Sequence, residues 1–305
     1  IIGFALIFVL LMWFMNNNKP SQEELAKRKA QQEQQANKTA ANTQNNTSTV
    51  QPTDLGNFAY STTLPSAKNE VTVLENKDLK LTISNRGGQL KEVLLKEFKT
   101  YDALPVYLVK DWNATFSLNF TTAQDKKLNT KDLYFEPTLS ENNGSQVLSM
   151  KLKTSENTYL EYVYTLPKEG YMLDLVVRSQ GLAGAVNTSK PMNIDWKLQA
   201  RRMEKSVTYE NRYTQAAIQY EGDRINRMSQ AGNDEQKEEK VSWVAYKQHL
   251  FTSVLISDNP FEKGNFISHN IAMNEGKEVK YTKNFLTSLP IKAKSGELSE
   301  SLHFY

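Results

Sequence analysis

The chain has 305 residues and a formal net charge of +3, with 37 basic against 34 acidic residues. This near balance gives no indication of nucleic acid or of another polyanion as a partner. Cysteine is absent, which excludes disulfide scaffolds, thiolate metal sites, cysteine nucleophiles and a lipid-modified cysteine.

The first predicted element is a membrane anchor over residues 1–16. Residues 1–15 are apolar and uncharged, a run shorter than the ~20 residues that cross a bilayer. Because the chain does not begin with Met, we expect the anchor to be N-terminally incomplete. The run contains no polar position and no small-residue cleavage site follows it, so an anchor is favoured over a core helix or a cleaved signal. The proposed anchor residues are Ile1, Phe4, Phe8, Leu11, Trp13 and Phe14.

Residues 17–68 are predicted to form a polar tether. Its first part is rich in Glu, Lys, Arg, Gln and Ala, all of which have high helix propensity. From Ala36 to Pro65 the composition changes to Asn, Thr, Gln and Ser, which cannot bury enough surface to offset the ordering entropy. We therefore expect a partly helical and then disordered segment. The basic residues Lys27 to Lys29 would by themselves weakly favour a cytoplasmic flank.

From residue 69 to residue 305 the hydrophobic period becomes two, which predicts a mainly β domain. Strict alternation is typical of antiparallel strands with one buried face. The strand number and the glycine-containing turns between the runs favour two large apposed sheets. Apolar residues alternate at Leu79, Leu81 and Ile83; Phe116, Leu118 and Phe120; Leu148, Met150 and Leu152; Leu160 to Leu166; Tyr171 to Val177; Met192 to Leu198; Val279 to Phe285; and Leu298 to Phe304.

One segment departs from this period. Asp234 to Lys240 is a charge run, for which we expect an exposed loop. The following residues, Val241 to Phe251, are predicted to form a short helix. Ser242 is its proposed cap, and its inward residues are Trp243, Tyr246 and Leu250. A strand is expected to resume at Thr252.

No constellation of residues in the chain predicts catalysis, a metal or a cofactor. His249, His269 and His303 lie in separate segments without metal-ligand spacing. Nucleotide-binding and hydrolase motifs are absent from the sequence. Asp174 and Asp195 are expected on polar strand faces. The small basic cluster of Arg201, Arg202 and Lys205 is expected to be a soluble edge or loop, with lipid headgroups or an acidic partner as the alternative.

Two stretches together resemble one known family. The first is Leu79 to Phe98, with Arg86, Gly87 and Gly88 at its turn. The second is Val241 to Ile256, with the Trp-Val-Ala triplet Trp243, Val244 and Ala245. Combined with the anchor and tether, and in the same order, they resemble the start and large periplasmic domain of the YidC family of bacterial membrane protein insertases. The Asn- and Lys-rich composition resembles that of Bacteroidetes members.

The resemblance implies a fold, a location and partners. The fold is a large antiparallel β-supersandwich, galactose mutarotase-like, with a short helical element near its C-terminal end and a transmembrane helix before it. The location is the bacterial inner membrane, with the large domain in the periplasm. The implied partners are the lipid bilayer, nascent membrane proteins and the Sec translocon (SecDF and SecYEG). No cofactor and no nucleic acid are implied.

The resemblance also implies that this chain is the N-terminal part of a membrane protein insertase and foldase. In the family the insertion groove lies in five further membrane spans, so we expect this part to anchor and dock rather than to insert, and not to be an enzyme. The alternative is an anchored carbohydrate-binding or aldose-epimerase-like protein, for which Trp112 and Trp196 could stack on sugar; its dispersed histidines argue against it. A structural envelope protein is a third hypothesis.

Overall fold

The computed structural model of the protein describes residues 55–271 and 279–305. Most of the described residues belong to two antiparallel sheets of unequal size. The smaller sheet has the order β1-β2-β3-β4, so that each strand follows its sequence neighbour through a short turn. Its strands are β1 Val71–Glu75, β2 Leu79–Ser84, β3 Leu90–Lys99 and β4 Pro105–Val109.

The larger sheet has thirteen strands. Its main path runs in the order β6-β5-β11-β16-β15-β17-β10-β9-β8-β7, and β14 joins β15 and carries β12 and β13 beside it. The strands are β5 Ala114–Thr121, β6 Lys127–Asn129, β7 Glu136–Asn142, β8 Ser145–Lys153, β9 Tyr159–Leu166, β10 Leu173–Gln180, β11 Met192–Arg201, β12 Gln215–Tyr220, β13 Arg224–Arg227, β14 Asp234–Lys247, β15 Thr252–Asn270, β16 Tyr281–Ile291 and β17 Ser299–Phe304.

Helices are few and short in the described part of the chain. The α-helix α1, Val207–Asn211, begins after Ser206, whose hydroxyl accepts a hydrogen bond from the Tyr209 amide at 3.2 Å. Three 3-10 helices cover Gly56–Thr63, Thr130–Asp132 and Leu182–Gly184. Within residues 55–271 and 279–305, no helix is long and apolar enough to span a bilayer. The predicted anchor and the first part of the tether lie outside the described residues.

On most of the predicted strands, the alternating apolar residues form the buried face. Leu148, Met150 and Leu152 on β8 are fully buried, and the alternating apolar residues of β2, β5, β9 and β11 are at most 6% exposed. An aromatic stack ties three strands of the large sheet together. The Tyr246 ring lies 4.1 Å from that of Trp196 and 4.7 Å from that of Phe285. The prediction of a mainly β sandwich with few helices is therefore confirmed.

Three expectations differ from the structure. Two large sheets were predicted, whereas one sheet is small, with four strands, and the other has thirteen. The charge run is not a loop, because Asp234 to Glu239 pair with residues 268 to 263 of β15. The end of the predicted tether is folded. Phe58 in the first 3-10 helix is completely buried, 4.9 Å from the ring of Phe120.

The predicted helix over Val241 to Phe251 is wrong. Residues up to Lys247 belong to β14, which pairs with β12 on one side and β15 on the other. The register shifts between Val241 and Trp243, which is the mark of a β-bulge. The bulge breaks the period of two, so that buried residues fall at Val241, Val244 and Ala245 and imitate helical spacing. Leu250 lies in the following turn and is 68% exposed.

Candidate docking cleft

A cleft of about 320 Å³ opens between the small sheet and the large sheet. Strands β2 to β4 form one wall and strands β5, β10, β11 and β17 form the other. The described side chains that line the cleft are apolar, apart from a few hydroxyl groups, and none of them is charged. We call this site the apolar cleft; its principal lining residues are Leu81, Val93, Leu95, Phe116, Leu173, Trp196, Leu198 and Phe304.

The floor of the apolar cleft is aromatic. The ring of Phe304 lies 5.5 Å from that of Phe116 and 5.7 Å from that of Trp196, in edge-on arrangements. Trp196 is only 5% exposed, and its far side is stacked on Tyr246. The floor is therefore rigid and offers aromatic edges to whatever enters.

The rim of the apolar cleft exposes large apolar side chains. Phe98, at the end of β3, lies 5.5 Å from Phe251 and 6.4 Å from Tyr171 between ring centroids. Leu250, which also lines the cleft, is 68% exposed, and Phe98 is 42% exposed. Such a concentration of exposed apolar groups beside a cavity is typical of an interaction site.

A buried carboxylate holds the turn that carries this rim. Glu210 on α1 is 1% exposed and accepts hydrogen bonds from the amides of Met203 and Glu204. Its Oε1 also accepts from Gln248 in the β14–β15 turn, at 3.1 Å. Burial raises the pKa of Glu210, against the effect of these donors. Sequence reasoning missed Glu210, because its partners are distant in the chain and no local pattern marks it.

The histidines do not form a catalytic site. His303 lies next to Phe304 in β17 and so on the opposite sheet face, where its ring nitrogens contact Asp174 at 2.7 Å and Asp258 at 2.9 Å. His249 packs between the rings of Tyr209 and Tyr213 and contacts Glu204. His269 is exposed. In the described ranges no group of three or more His, Asp or Glu side chains could hold a metal.

The residues of the two family-like motifs have structural positions. Arg86 pairs with Asp132 at 3.3 Å, and Gly87 and Gly88 form the turn between β2 and β3 with positive φ. Val244 and Ala245 lie near the end of β14, paired on both sides, and Trp243 beside them is half-buried. None of these six residues lines the apolar cleft, although the two stretches that contain them supply about half of its lining, including Val93 and Phe251. The six predicted anchor residues lie outside the described part of the chain.

One known protein family matches the greater part of the chain. The family described as "YidC periplasmic domain" matches residues 71–305. The chain belongs to the YidC periplasmic domain family. The resemblance inferred from the motifs is thereby confirmed.

Curated YidC relatives agree with this assignment. The membrane protein insertase YidC of Porphyromonas gingivalis W83 is 31% identical over all of this chain and 50% of its own length. That of Bacteroides fragilis is 30% identical over 86% of this chain and 43% of its own length. Both are Bacteroidetes species, as the composition predicted. The chain spans about half the length of these YidC proteins.

Solved structures with similar strand arrangements include sugar-epimerase relatives. A putative aldose 1-epimerase from Escherichia coli K12 has a TM-score of 0.47 at 10% identity, covering 77% of this chain and 98% of the epimerase. A galactose mutarotase-like protein from Lactobacillus casei has a TM-score of 0.47 at 12% identity, covering 77% and 99%. Structural similarity with so low a TM-score and identity indicates nothing about function.

Proposed function

We propose that this chain is the N-terminal part of a membrane protein insertase and foldase of the bacterial inner membrane. Its β domain would lie in the periplasm and hold apolar stretches of membrane proteins rather than catalyse a reaction. The observation that carries this proposal is the uncharged apolar cleft with its exposed rim, in a chain of the YidC periplasmic domain family. The names of the curated relatives agree with a protein that is not an enzyme.

The size of the apolar cleft limits what it can hold. A volume of about 320 Å³ is at the lower end of the ~300–1,000 Å³ found for ligand pockets. It has room for a few apolar side chains of an extended segment, and not for a whole transmembrane helix. Binding there would shield such side chains from water, and the absence of charge from the described lining removes any desolvation cost on the protein side.

Docking to the Sec translocon, through SecDF or SecYEG, is a further part of the proposal. Its support is the membership of the family, and no described residue is assigned to it. The predicted membrane anchor and the part of the predicted tether before residue 55 would keep the domain close to the translocon while allowing it to move.

Site-specific photo-crosslinking tests this function in the full protein in its native membrane. A photoreactive amino acid replaces Phe98 at the cleft rim, or Leu139, which is 50% exposed on the distant strand β7. We expect crosslinks from position 98 to nascent membrane proteins at about ten-fold the yield from position 139, because apolar segments prefer the apolar rim. Mass spectrometry of the products shows whether SecDF or SecYEG is also captured.

A charged substitution at the rim of the apolar cleft tests the same function. Leu250→Glu is expected to lower crosslinking from position 98 about ten-fold, since the carboxylate would have to be desolvated next to the bound segment. Leu139→Glu is the matched control, and it should have no effect. Equal yields from positions 98 and 139, or yields unaffected by Leu250→Glu, would contradict a role for the cleft in binding clients.

The carbohydrate-binding alternative is not favoured. Sugar sites require several polar groups that fix the hydroxyls of the ligand, whereas the polar groups among the described lining are hydroxyls such as Thr115, Thr252 and Ser253. Trp196 has little free surface, and Trp112 is not part of the lining. The two tryptophans therefore do not face one ligand.

A further inference from the structure

A second surface of the domain combines cations with tyrosine rings. The Lys110 ammonium lies 4.0 Å from the centroid of the Tyr107 ring, and the Arg202 guanidinium lies 5.3 Å from that of Tyr101. Tyr281 has two cations over its ring, Arg201 at 6.0 Å and Lys280 at 5.7 Å. We call this surface the basic aromatic face; its residues are Tyr101, Tyr107, Lys110, Arg201, Arg202, Lys280 and Tyr281.

The fold brings these residues together from three distant parts of the chain. The Gln199 amide donates to the Asn113 carbonyl at 2.7 Å, and the Tyr101 amide donates to the Met203 carbonyl at 3.1 Å. The end of β11 therefore runs beside β4, which is an edge strand of the small sheet. Lys280 enters from the start of β16, where its carbonyl accepts a hydrogen bond from the Arg202 amide.

A groove of about 350 Å³ lies at the centre of the basic aromatic face. Tyr101, Tyr107, Arg201, Arg202 and Lys280 line it, and it shares no described lining residue with the apolar cleft. The two sites are therefore separate surfaces of the domain.

Acidic side chains only partly neutralise the face. Asp111 binds Arg201 at 3.2 Å and Lys280 at 2.8 Å, so one carboxylate is shared between two cations. Asp102 is hydrogen-bonded to the Thr100 hydroxyl, and Glu204 contacts His249. The additional cation Lys205 is exposed next to Arg202, so positive charge is in excess among the described residues of the face.

Large apolar side chains project from the same face. Leu104, in the β3–β4 turn that lines the groove, is 59% exposed, and Tyr101 is 53% exposed. Trp112, next to Asp111, is also 53% exposed, with the Lys91 ammonium 5.6 Å from its ring. Cations and exposed apolar side chains therefore occur together at this part of the domain.

We infer that the basic aromatic face docks on a bilayer surface that contains anionic phospholipids. Arginine and lysine would bind the headgroup phosphates, and Tyr101, Leu104 and Trp112 would enter the interfacial layer, which aromatic side chains favour. The occupant is a lipid surface because charge complementarity and exposed apolar groups coincide here, in a chain whose curated relatives are named membrane protein insertases. Docking would fix which side of the domain faces the membrane.

The absence of cysteine allows a direct test. A single cysteine is introduced by Leu104→Cys on the face, or by Leu139→Cys on β7 as control, and labelled with an environment-sensitive fluorophore. The full chain is reconstituted into vesicles of phosphatidylcholine, or of phosphatidylcholine mixed with phosphatidylglycerol, that contain a lipid-borne quencher. We expect quenching at position 104 to be at least about two-fold stronger in the anionic vesicles and to fall as salt screens the charges, while position 139 is not quenched.

Charge reversal provides the second measurement. Lys205→Glu combined with Lys280→Glu, in the Leu104→Cys chain, is expected to abolish the lipid-dependent part of the quenching. Lys77→Glu with Lys127→Glu makes the same change in net charge at exposed lysines elsewhere and should leave it unchanged, with circular dichroism confirming the fold of both. Equal quenching at positions 104 and 139, the same quenching in both lipids, or no quenching in either would overturn the proposal. The last result would assign the face to a protein partner instead.

Discussion

At the scale of single residues, His303 is the histidine whose environment differs most from water. Desolvation lowers its pKa, but the hydrogen bonds that its ring nitrogens make to Asp174 on β10 and Asp258 on β15 outweigh this effect, and the net result is a raised pKa. Carboxylates beside both ring nitrogens favour the doubly protonated imidazolium over the neutral ring. Both partners of His303 come from other strands, so the sequence around it does not reveal them.

This arrangement predicts a pH dependence of stability. Because the folded protein binds the His303 proton more tightly than the unfolded chain, the contribution is fully present below about pH 6.5 and is lost as the pH rises through the folded-state pKa. We expect the free energy of unfolding to fall between about pH 6 and pH 8 by up to about 1 kcal/mol more in the wild type than in His303→Gln, since the site is partly exposed. Urea unfolding at several pH values measures this difference.

The exposed His269 offers the matched substitution. His269→Gln should show the pH dependence of the wild type. If His303→Gln also retains the wild-type dependence, the two aspartates do not hold the proton as the structure indicates.

At the scale of elements, the β2–β3 turn shows how a short motif determines a local structure. Gly88 has a φ of +61°, and a Cβ added to it would lie 2.9 Å from the Phe135 ring. Its carbonyl accepts a hydrogen bond from the Tyr164 hydroxyl at 2.8 Å. The sequence predicted a turn that needs positive φ, whereas the close approach of Phe135 and Tyr164 depends on the large sheet packing over the turn.

Gly88→Ala is therefore expected to lower the free energy of unfolding by about 2–4 kcal/mol, through backbone strain and through overlap with Phe135. Gly222→Ala is the matched control, since Gly222 has a φ of +85° with nothing within 4 Å of its added Cβ. This control should cost only the strain, about 1 kcal/mol. Chemical denaturation compares the two, and equal losses would show that contact with Phe135 contributes nothing.

Strand β14 shows where local pattern fails. Its first half, from Asp234, is highly charged and its second half has the apparent spacing of a helix, yet the whole segment is one strand that pairs with β15 along its length and with β12 in its second half. This backbone pairing provides partners for amides and carbonyls that an exposed loop would have to find in water. Neither the pairing partners nor the bulge between Val241 and Trp243 can be read from this segment alone.

At the scale of the whole molecule, the two proposals assign the apolar cleft to client segments and the basic aromatic face to the membrane. This division predicts that the domain assists insertion without performing it. Deleting residues 71–304 from the full protein, with the predicted anchor retained, should leave insertion of a test client largely intact and reduce co-purification of the Sec translocon. Complementation in a depleted strain, with immunoblots for protein level, measures both.

If the deletion variant complements the depleted strain but still co-purifies with the Sec translocon, the proposal that the domain docks on the translocon is wrong. Loss of insertion at normal protein level would mean that the domain takes part in insertion directly.

The sequence by itself determined the fold class, because period-two alternation sets which face of each strand is buried wherever a sheet forms. It also determined the family, because two motifs and an anchor-like start can be recognised by their order along the chain without any knowledge of contacts. Only the tertiary structure decided the unequal sheets, the strand at β14, the buried Glu210 and both interaction surfaces. The apolar cleft and the basic aromatic face are assembled from residues far apart in the chain, such as Phe98 with Phe251 and Tyr101 with Arg202. The periodicity of a segment indicates which of its residues are buried, but not which distant strand will be its neighbour.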